Sequence, residues 1–227
     1  MNWPQFLGHL SFSSSLDIIG PFATHWQPGS RPVLYVDSGI QWKKPCTISA
    51  SVGDGDSGSS KMDVLLDTDK DFSDFAFALR SLPQNIVAVY LHGFLGGRRD
   101  HELGNMGETH AFLKARLKPT SVHWEGHMVA WSAGEWNFQR NGIFSLMAVD
   151  CPKITVQGEC RFSLSKPVEL PALSSLALSN EASGYVQVTT TGPLFCLFPP
   201  EELRDRKPSP QPSRRQEGHS RVAGKPT

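Results

Sequence analysis

No apolar run in the 227 residues approaches the roughly 20 that a bilayer-spanning helix needs, which argues against a membrane protein of that kind. The N-terminus has no basic segment followed by an apolar one, so it does not read as a secretory signal. Cysteine is sparse and scattered. Cys46, Cys151, Cys160 and Cys196 form no CxxC pair, so neither a zinc ribbon nor a redox motif is indicated. Reduced thiols in a cytoplasmic protein are the expectation. An excess of one charge is also missing: 22 Lys and Arg balance 22 Asp and Glu. The balance is uneven along the chain, because residues 201–227 hold seven basic against four acidic residues. The remaining body is mildly acidic, which argues against nucleic acid as a partner. The Pro-, Ser- and Arg-rich 201–227 segment has too little apolar surface to offset its ordering entropy, and is expected to be a disordered tail.

What is present is a change of texture near the middle. Nearly all-apolar runs at 16–19, 32–36, 48–52 and 86–91 each end in a Gly, Pro or Asp turn, as buried parallel strands do. Between the third and fourth, Phe72, Phe75, Ala76 and Leu79 follow helical spacing, with Asp71 or Ser73 placed to cap the start. A second helix is expected over 101–117, stopping before Pro119. Beyond residue 126 the chain breaks into short strand-like pieces at 127–131, 135–138, 143–149, 153–156, 161–164, 184–190 and 193–198. The expected organisation is therefore an α/β domain with a parallel sheet over 1–125 and an all-β sandwich or barrel domain over 126–200. Trp124, Trp131 and Trp136 read as aromatics filling the core of the second half, with a stacking wall for a flat organic substrate as the alternative.

Three polar clusters fall where βα units should turn, the edge of an open sheet where ligands bind. Gly53-Asp54-Gly55-Asp56-Ser57 places two carboxylates two residues apart. On extended chain these face one side and suit Mg²⁺, although taken alone the pair is better explained as an Asp/Gly turn. Asp69-Lys70-Asp71-Phe72-Ser73-Asp74 places Asp71 and Asp74 three apart, on one face if both lie in the helix. So many acids in one turn call for a compensating cation or donor. Gly96-Gly97-Arg98-Arg99-Asp100-His101 follows the most apolar strand. It matches neither GxGxxG nor the P-loop, but glycine backbone and Arg98 together suit an anion. Carboxylates for a hard cation and an arginine for an anion describe a metal-bound polyphosphate site.

These clusters, in this order, resemble the motifs of the thiamine pyrophosphokinase family. A DGG-type loop corresponds to Asp37-Ser38-Gly39, GDxDS to 53–57, DxDxTD to 69–74, GGRxDHxLxN to 96–105, and a late SN to Ser179-Asn180. Ser38 stands in place of a glycine and Ser73 in place of the threonine. The family's GLKW/Y-like segment has its nearest counterpart at Gly158-Glu159-Cys160-Arg161-Phe162. The resemblance implies a homodimer that makes thiamine diphosphate and AMP from thiamine and ATP. Carried over by position, it makes Asp54, Asp56, Asp71 and Asp74 the Mg²⁺ ligands. Asp37, Ser57, Ser73, Arg98, His101 and Asn105 would border ATP, and Ser179, Asn180 and Phe162 would contact thiamine. Asp71, Asp74, Arg98 and Asp100 would carry catalysis, with Asp71 and Asp100 both open as general base. A phosphate site does not name its acceptor, so a pterin alcohol, or a binding relative without turnover, stays as an alternative.

Overall fold

The computed structural model describes residues 2–46, 48–56 and 61–199. Ser57 and the 201–227 tail lie outside the described residues. The chain opens with a helix that the apolar runs did not reveal, α1 (Trp3–Leu10). Asn2 and Gln5 form a reciprocal capping box, each side chain accepting from the other's backbone N–H at 3.0 and 3.2 Å. Then follow β1 (Ser15–Ile19), β2 (Val33–Val36), a 3₁₀ turn (Asp37–Trp42), β3 (Ser49–Gly53) and the short β4 (Val64–Leu65). Next come α2 (Asp74–Arg80), β5 (Ala88–His92), α3 (Arg99–Lys114), β6 (Ser121–Trp124) and β7 (Met128–Trp131). The last elements are β8 (Gly134–Met147), β9 (Lys153–Cys160), β10 (Leu164–Glu169), β11 (Asn180–Thr190) and β12 (Leu194–Leu197).

Six strands pair in parallel in the order β6-β5-β1-β2-β3-β4. From β6 onward the ladder turns antiparallel and continues β7-β12-β8-β11-β9-β10. The architecture is mixed α/β and rich in sheet. The pieces expected at 135–138 and 143–149 form one strand, β8, of 14 residues. Its first part, through Phe144, pairs with β11, while Ser145–Met147 pairs with β12. The strand expected at 161–164 is instead a turn at 161–163, with β10 starting at Leu164. Pro167 sits inside β10, which is tolerable because β10 closes one edge of the sheet and need not donate on both sides.

Alternation along the strands sorts side chains into separate cores. Leu16, Ile18, Leu34, Val36, Ala50, Val52, Val89 and Leu91 face α1, α2 and α3 in one cluster, together with Phe6, Leu79 and Phe112. The opposite face of β1 and β2 packs Ile19, Val33 and Tyr35 against Ala23 and Trp26 from a loop, with Ile40 and Trp42 of the 3₁₀ turn beside them. β1, β2 and β3 are thus buried almost throughout, as expected, whereas β5 alternates between buried and half-buried positions. Trp124 belongs to the helix-side core, whereas Trp131 and Trp136 stack at 5.7 Å in a third cluster with β8, β9 and β11.

Candidate active site

β1 has β2 on one side and β5 on the other, so the chain reverses its direction of progress across the sheet at this point. Open sheets form a crevice beyond the carboxyl ends of the strands at such a reversal. A cavity of about 520 Å³ lies there, lined by residues that follow β1, β2, β3 and β5 and by the starts of α2 and α3. It brings together Asp37, Asp54, Asp56, Ser73, Asp74, Arg98, His101 and Asn105 from the sequence-derived set.

Asp37, Asp54 and Asp74 each present a carboxylate oxygen within 4.8 Å of the others. The backbone enforces this convergence. Asp37 leaves β2 in a left-handed conformation (φ 52), which aspartate tolerates better than most residues. Gly53 ends β3 where a Cβ would lie 3.1 Å from Asp37 Cα and 3.3 Å from Asp74 Oδ2, so a side chain there would push the acids apart. Asp54 N donates to Asp74 Oδ2 at 3.3 Å. Asp56 is not a second extended ligand beside Asp54: Gly55 (φ 78) turns the chain, and Asp56 N donates back to Asp54 Oδ1 at 3.2 Å. The Asp/Gly turn and the acid cluster are one feature. Asp56 stays exposed at the rim.

Lys70 enters the cluster from the second motif. Its Nζ stands 3.0 Å from Asp54 Oδ2 and 3.1 Å from Asp74 Oδ1, and its side chain is only 10% exposed. This ammonium is the largest influence holding the Asp54 carboxyl below its ordinary range. Burial pushes Asp74 above its ordinary range, Lys70 opposes the rise, and the charges of Asp54 and Asp37 add to it. The sequence called for a cation among so many acids, and the motif supplies its own.

The donor set fits a hard divalent ion. All three converging groups are carboxylates, oxygen ligands of the kind Mg²⁺ prefers. Asp74 Oδ1 is buried and has no hydrogen-bond partner, its nearest counter-charge being the Lys70 ammonium. An ion bound by these acids would leave most of its coordination to water and phosphate oxygens.

Asp71 stands apart from this group. The shared face inferred for Asp71 and Asp74 required both to be helical, but α2 starts at Asp74. Ser73 is the cap, its Oγ accepting from Ala76 N at 3.1 Å. Asp71 precedes the helix, is exposed, and does not line the cavity.

The glycine-rich loop after β5 is held by carboxylates. Phe94 N and Leu95 N donate to Glu125 Oε1 at 2.7 and 3.3 Å, and Gly96 N donates to Glu102 Oε1 at 2.7 Å. The amides expected to approach an anion are therefore already partnered at these three positions. The Arg98 guanidinium is available to an anion: it is 72% exposed and paired with Asp100, whose Oδ1 accepts from Nε at 3.1 Å. Arg98, joined by the His101 backbone N–H, holds the Asp100 carboxyl down at about 2. Asp100 is exposed and does not itself line the cavity, although Arg98 and His101, which it contacts, both do. Gly93 (φ 76) permits the tight turn after β5, where a Cβ would meet Ala23 N at 2.2 Å.

The remaining three residues lie elsewhere. Phe162 and Asn180 line a separate cavity of about 210 Å³ with Leu146, Val156, Leu176 and Leu178. The buried Asn180 amide is committed to main chain: it accepts from Phe162 N at 2.9 Å and donates to Phe162 O at 2.7 Å. Ser179 (φ 56) precedes it, its N–H donating to Ser145 Oγ at 3.0 Å. Phe162 is 56% exposed.

A second polar cluster escaped the sequence analysis. Asp17, in mid-β1 and 1% exposed, pairs with Arg31 through both oxygens at 2.9 and 3.0 Å and contacts His92 Nε2 at 2.9 Å. An aspartate inside the apolar run Leu16-Asp17-Ile18-Ile19 was the available signal.

No protein-family model and no curated relative matches the sequence. Solved structures do match. The thiamine pyrophosphokinase of Bacillus subtilis aligns with a TM-score of 0.63 and 18% identity, over 80% of this chain and 97% of that one. The thiamin pyrophosphokinase of Geobacillus thermodenitrificans gives 0.62 and 20%, over 80% and 95%. That of Candida albicans gives 0.60 and 10%, over 85% and 89%. At such identities the common property is architecture: this chain carries the fold of the thiamine pyrophosphokinases.

Proposed function

We propose that the protein is an ATP-dependent diphosphotransferase that makes thiamine diphosphate and AMP from thiamine and ATP. The observation that carries this reading is the convergence of Asp37, Asp54 and Asp74 beside Arg98 in one crevice of a sheet with that fold. In this reading residues 1–125 bind the nucleotide, and 126–200 form the acceptor half. Mg²⁺, held by the three acids with Asp56 nearby, would neutralise polyphosphate charge when bound. The chain's own work is positioning. Arg98 faces the transferring phosphates, where its guanidinium can exchange Asp100 for phosphate oxygens. His101 and Asn105 border the nucleotide, and Ser73 fixes the start of α2 and with it Asp74. The thiamine hydroxyl forms a bond to the β-phosphorus of ATP, AMP departs with the bond it breaks, and the hydroxyl proton passes to a base or to solvent.

Phe162, Ser179 and Asn180 sit away from the acids within one chain, which supports a homodimer in which one protomer's β-rich half completes the acceptor site of its partner. A cytoplasmic location accords with the four free thiols. The test is an acceptor screen with Mg²⁺ and ATP, measuring AMP by chromatography. Release of AMP with thiamine but not with a hydroxymethylpterin is expected. AMP only with the pterin would reassign the acceptor, and ATP binding without AMP from either would make the protein a non-catalytic relative.

A further inference from the structure

Lys70 is paired with two of the three acids that could hold a divalent ion. Its ammonium lies 3.0 Å from Asp54 Oδ2 and 3.1 Å from Asp74 Oδ1, in a side chain 10% exposed. An ion coordinated by the same two oxygens would sit at ~2.1 Å from each, inside the space the ammonium holds. Two cations in that space would also repel across an interior of reduced dielectric. We infer that Lys70 is a resident counter-cation that must release Asp54 and Asp74 before a divalent ion binds, so that metal and polyphosphate load together.

The side chain can make this move. Lysine carries a compact charge on a flexible four-carbon stem, and Lys70 lines the same cavity as Arg98, so a phosphate chain there lies within its reach. Without polyphosphate, withdrawal would leave the ammonium without an anion, and the metal would have to displace it unaided. With polyphosphate present, the ammonium exchanges two carboxylates for phosphate oxygens, and the acids are released to the metal. Binding of each then favours the other by the same factor. The coupling to polyphosphate rests on the function proposed above, whereas the competition between Lys70 and metal does not.

The test is titration of Mn²⁺ alone, at pH 8, into the wild-type chain and the Lys70→Met, Lys70→Gln and Lys70→Arg variants. Loss of the charge in Met and Gln is expected to tighten Mn²⁺ by at least about tenfold, while Arg, which keeps a cation in place, stays near wild type. Mn²⁺ should also raise the melting temperature of the Met and Gln variants more than that of wild type. Adding a non-hydrolysable ATP analogue should then tighten Mn²⁺ binding to wild type by a larger factor than to the neutral variants, which keep only the direct phosphate–metal contribution. Equal or weaker Mn²⁺ binding by both neutral variants, or no Mn²⁺ binding by any form, overturns the inference. If the neutral variants tighten Mn²⁺ but wild type binds no nucleotide, the counter-cation role stands and the diphosphotransferase reading fails.

Discussion

Asp71 and Asp74 belong to one sequence motif, yet they differ in surroundings. Asp74 is nearly buried among Asp37, Asp54 and Lys70, while Asp71 is exposed ahead of the helix. The Asp74→Asn variant should therefore lose AMP formation by on the order of a hundredfold. Asp71→Asn should lose distinctly less, and steady-state rates on both purified variants decide the order. A larger loss at Asp71 would contradict the placement of the site at Asp74 and its neighbours. Asp17 bears a different prediction. Burial opposes its charge, but hydrogen bonds from His92 and Arg31 outweigh this and hold its carboxyl below the ordinary range. A depressed value stabilises the fold above the unfolded carboxylate pKa of about 4, and that contribution fades as pH falls through the folded value. Because Arg31 is 38% exposed, the effect of Asp17→Asn should be modest, about 1–3 kcal/mol at pH 7. Urea unfolding should show that gap narrowing at pH 3, and a gap independent of pH would remove the ion pair from the explanation. Spacing alone could reveal neither the depth of Asp17 nor the inward turn of Lys70, because it does not say which charges fold inside.

At the scale of elements, the strands β1, β2, β3 and β5 and the helix α2 were legible because period and breakers agree over each run. α1, β4 and β6 were not. β4 has two residues, and Ser121-Val122-His123-Trp124 is no apolar run; it becomes a strand by pairing with β5 and β7. The β6–β7 turn shows how an element shapes a site at a distance in sequence. Glu125 there adopts φ 49 and accepts from two amides of the loop after β5. Removing it in Glu125→Ala should free the Phe94 and Leu95 amides, speeding their hydrogen exchange at least severalfold. It should also raise the apparent KM for ATP by loosening the approach to Arg98. Unchanged exchange at both amides would show that the loop is held by other means.

Across the whole molecule, β7 and β12 belong to two cores at once. Met128, Ala130 and Phe195 face the helix-side cluster, while Val129, Trp131, Leu194 and Cys196 face the cluster of β8, β9 and β11. The change of texture near residue 126 was visible in the sequence, but this sharing was not, since alternation along a strand does not say what each face meets. Strands common to both cores should make the two halves unfold together. Phe195→Ala, which empties a fully buried site, should cost about 3–5 kcal/mol and lower a single transition seen alike by far-ultraviolet circular dichroism and tryptophan fluorescence. Two separated transitions in the wild-type protein would contradict that coupling. The site itself is a product of the same scale, because its acids arrive from the ends of β2 and β3 and the start of α2. Calorimetric titration of ATP with Mg²⁺, and again with EDTA, into wild type and Asp54→Asn measures that convergence directly. Binding by wild type with Mg²⁺ alone, lost in Asp54→Asn, is the expected result. ATP binding that ignores both the metal and the substitution would contradict a metal-carried nucleotide at these acids.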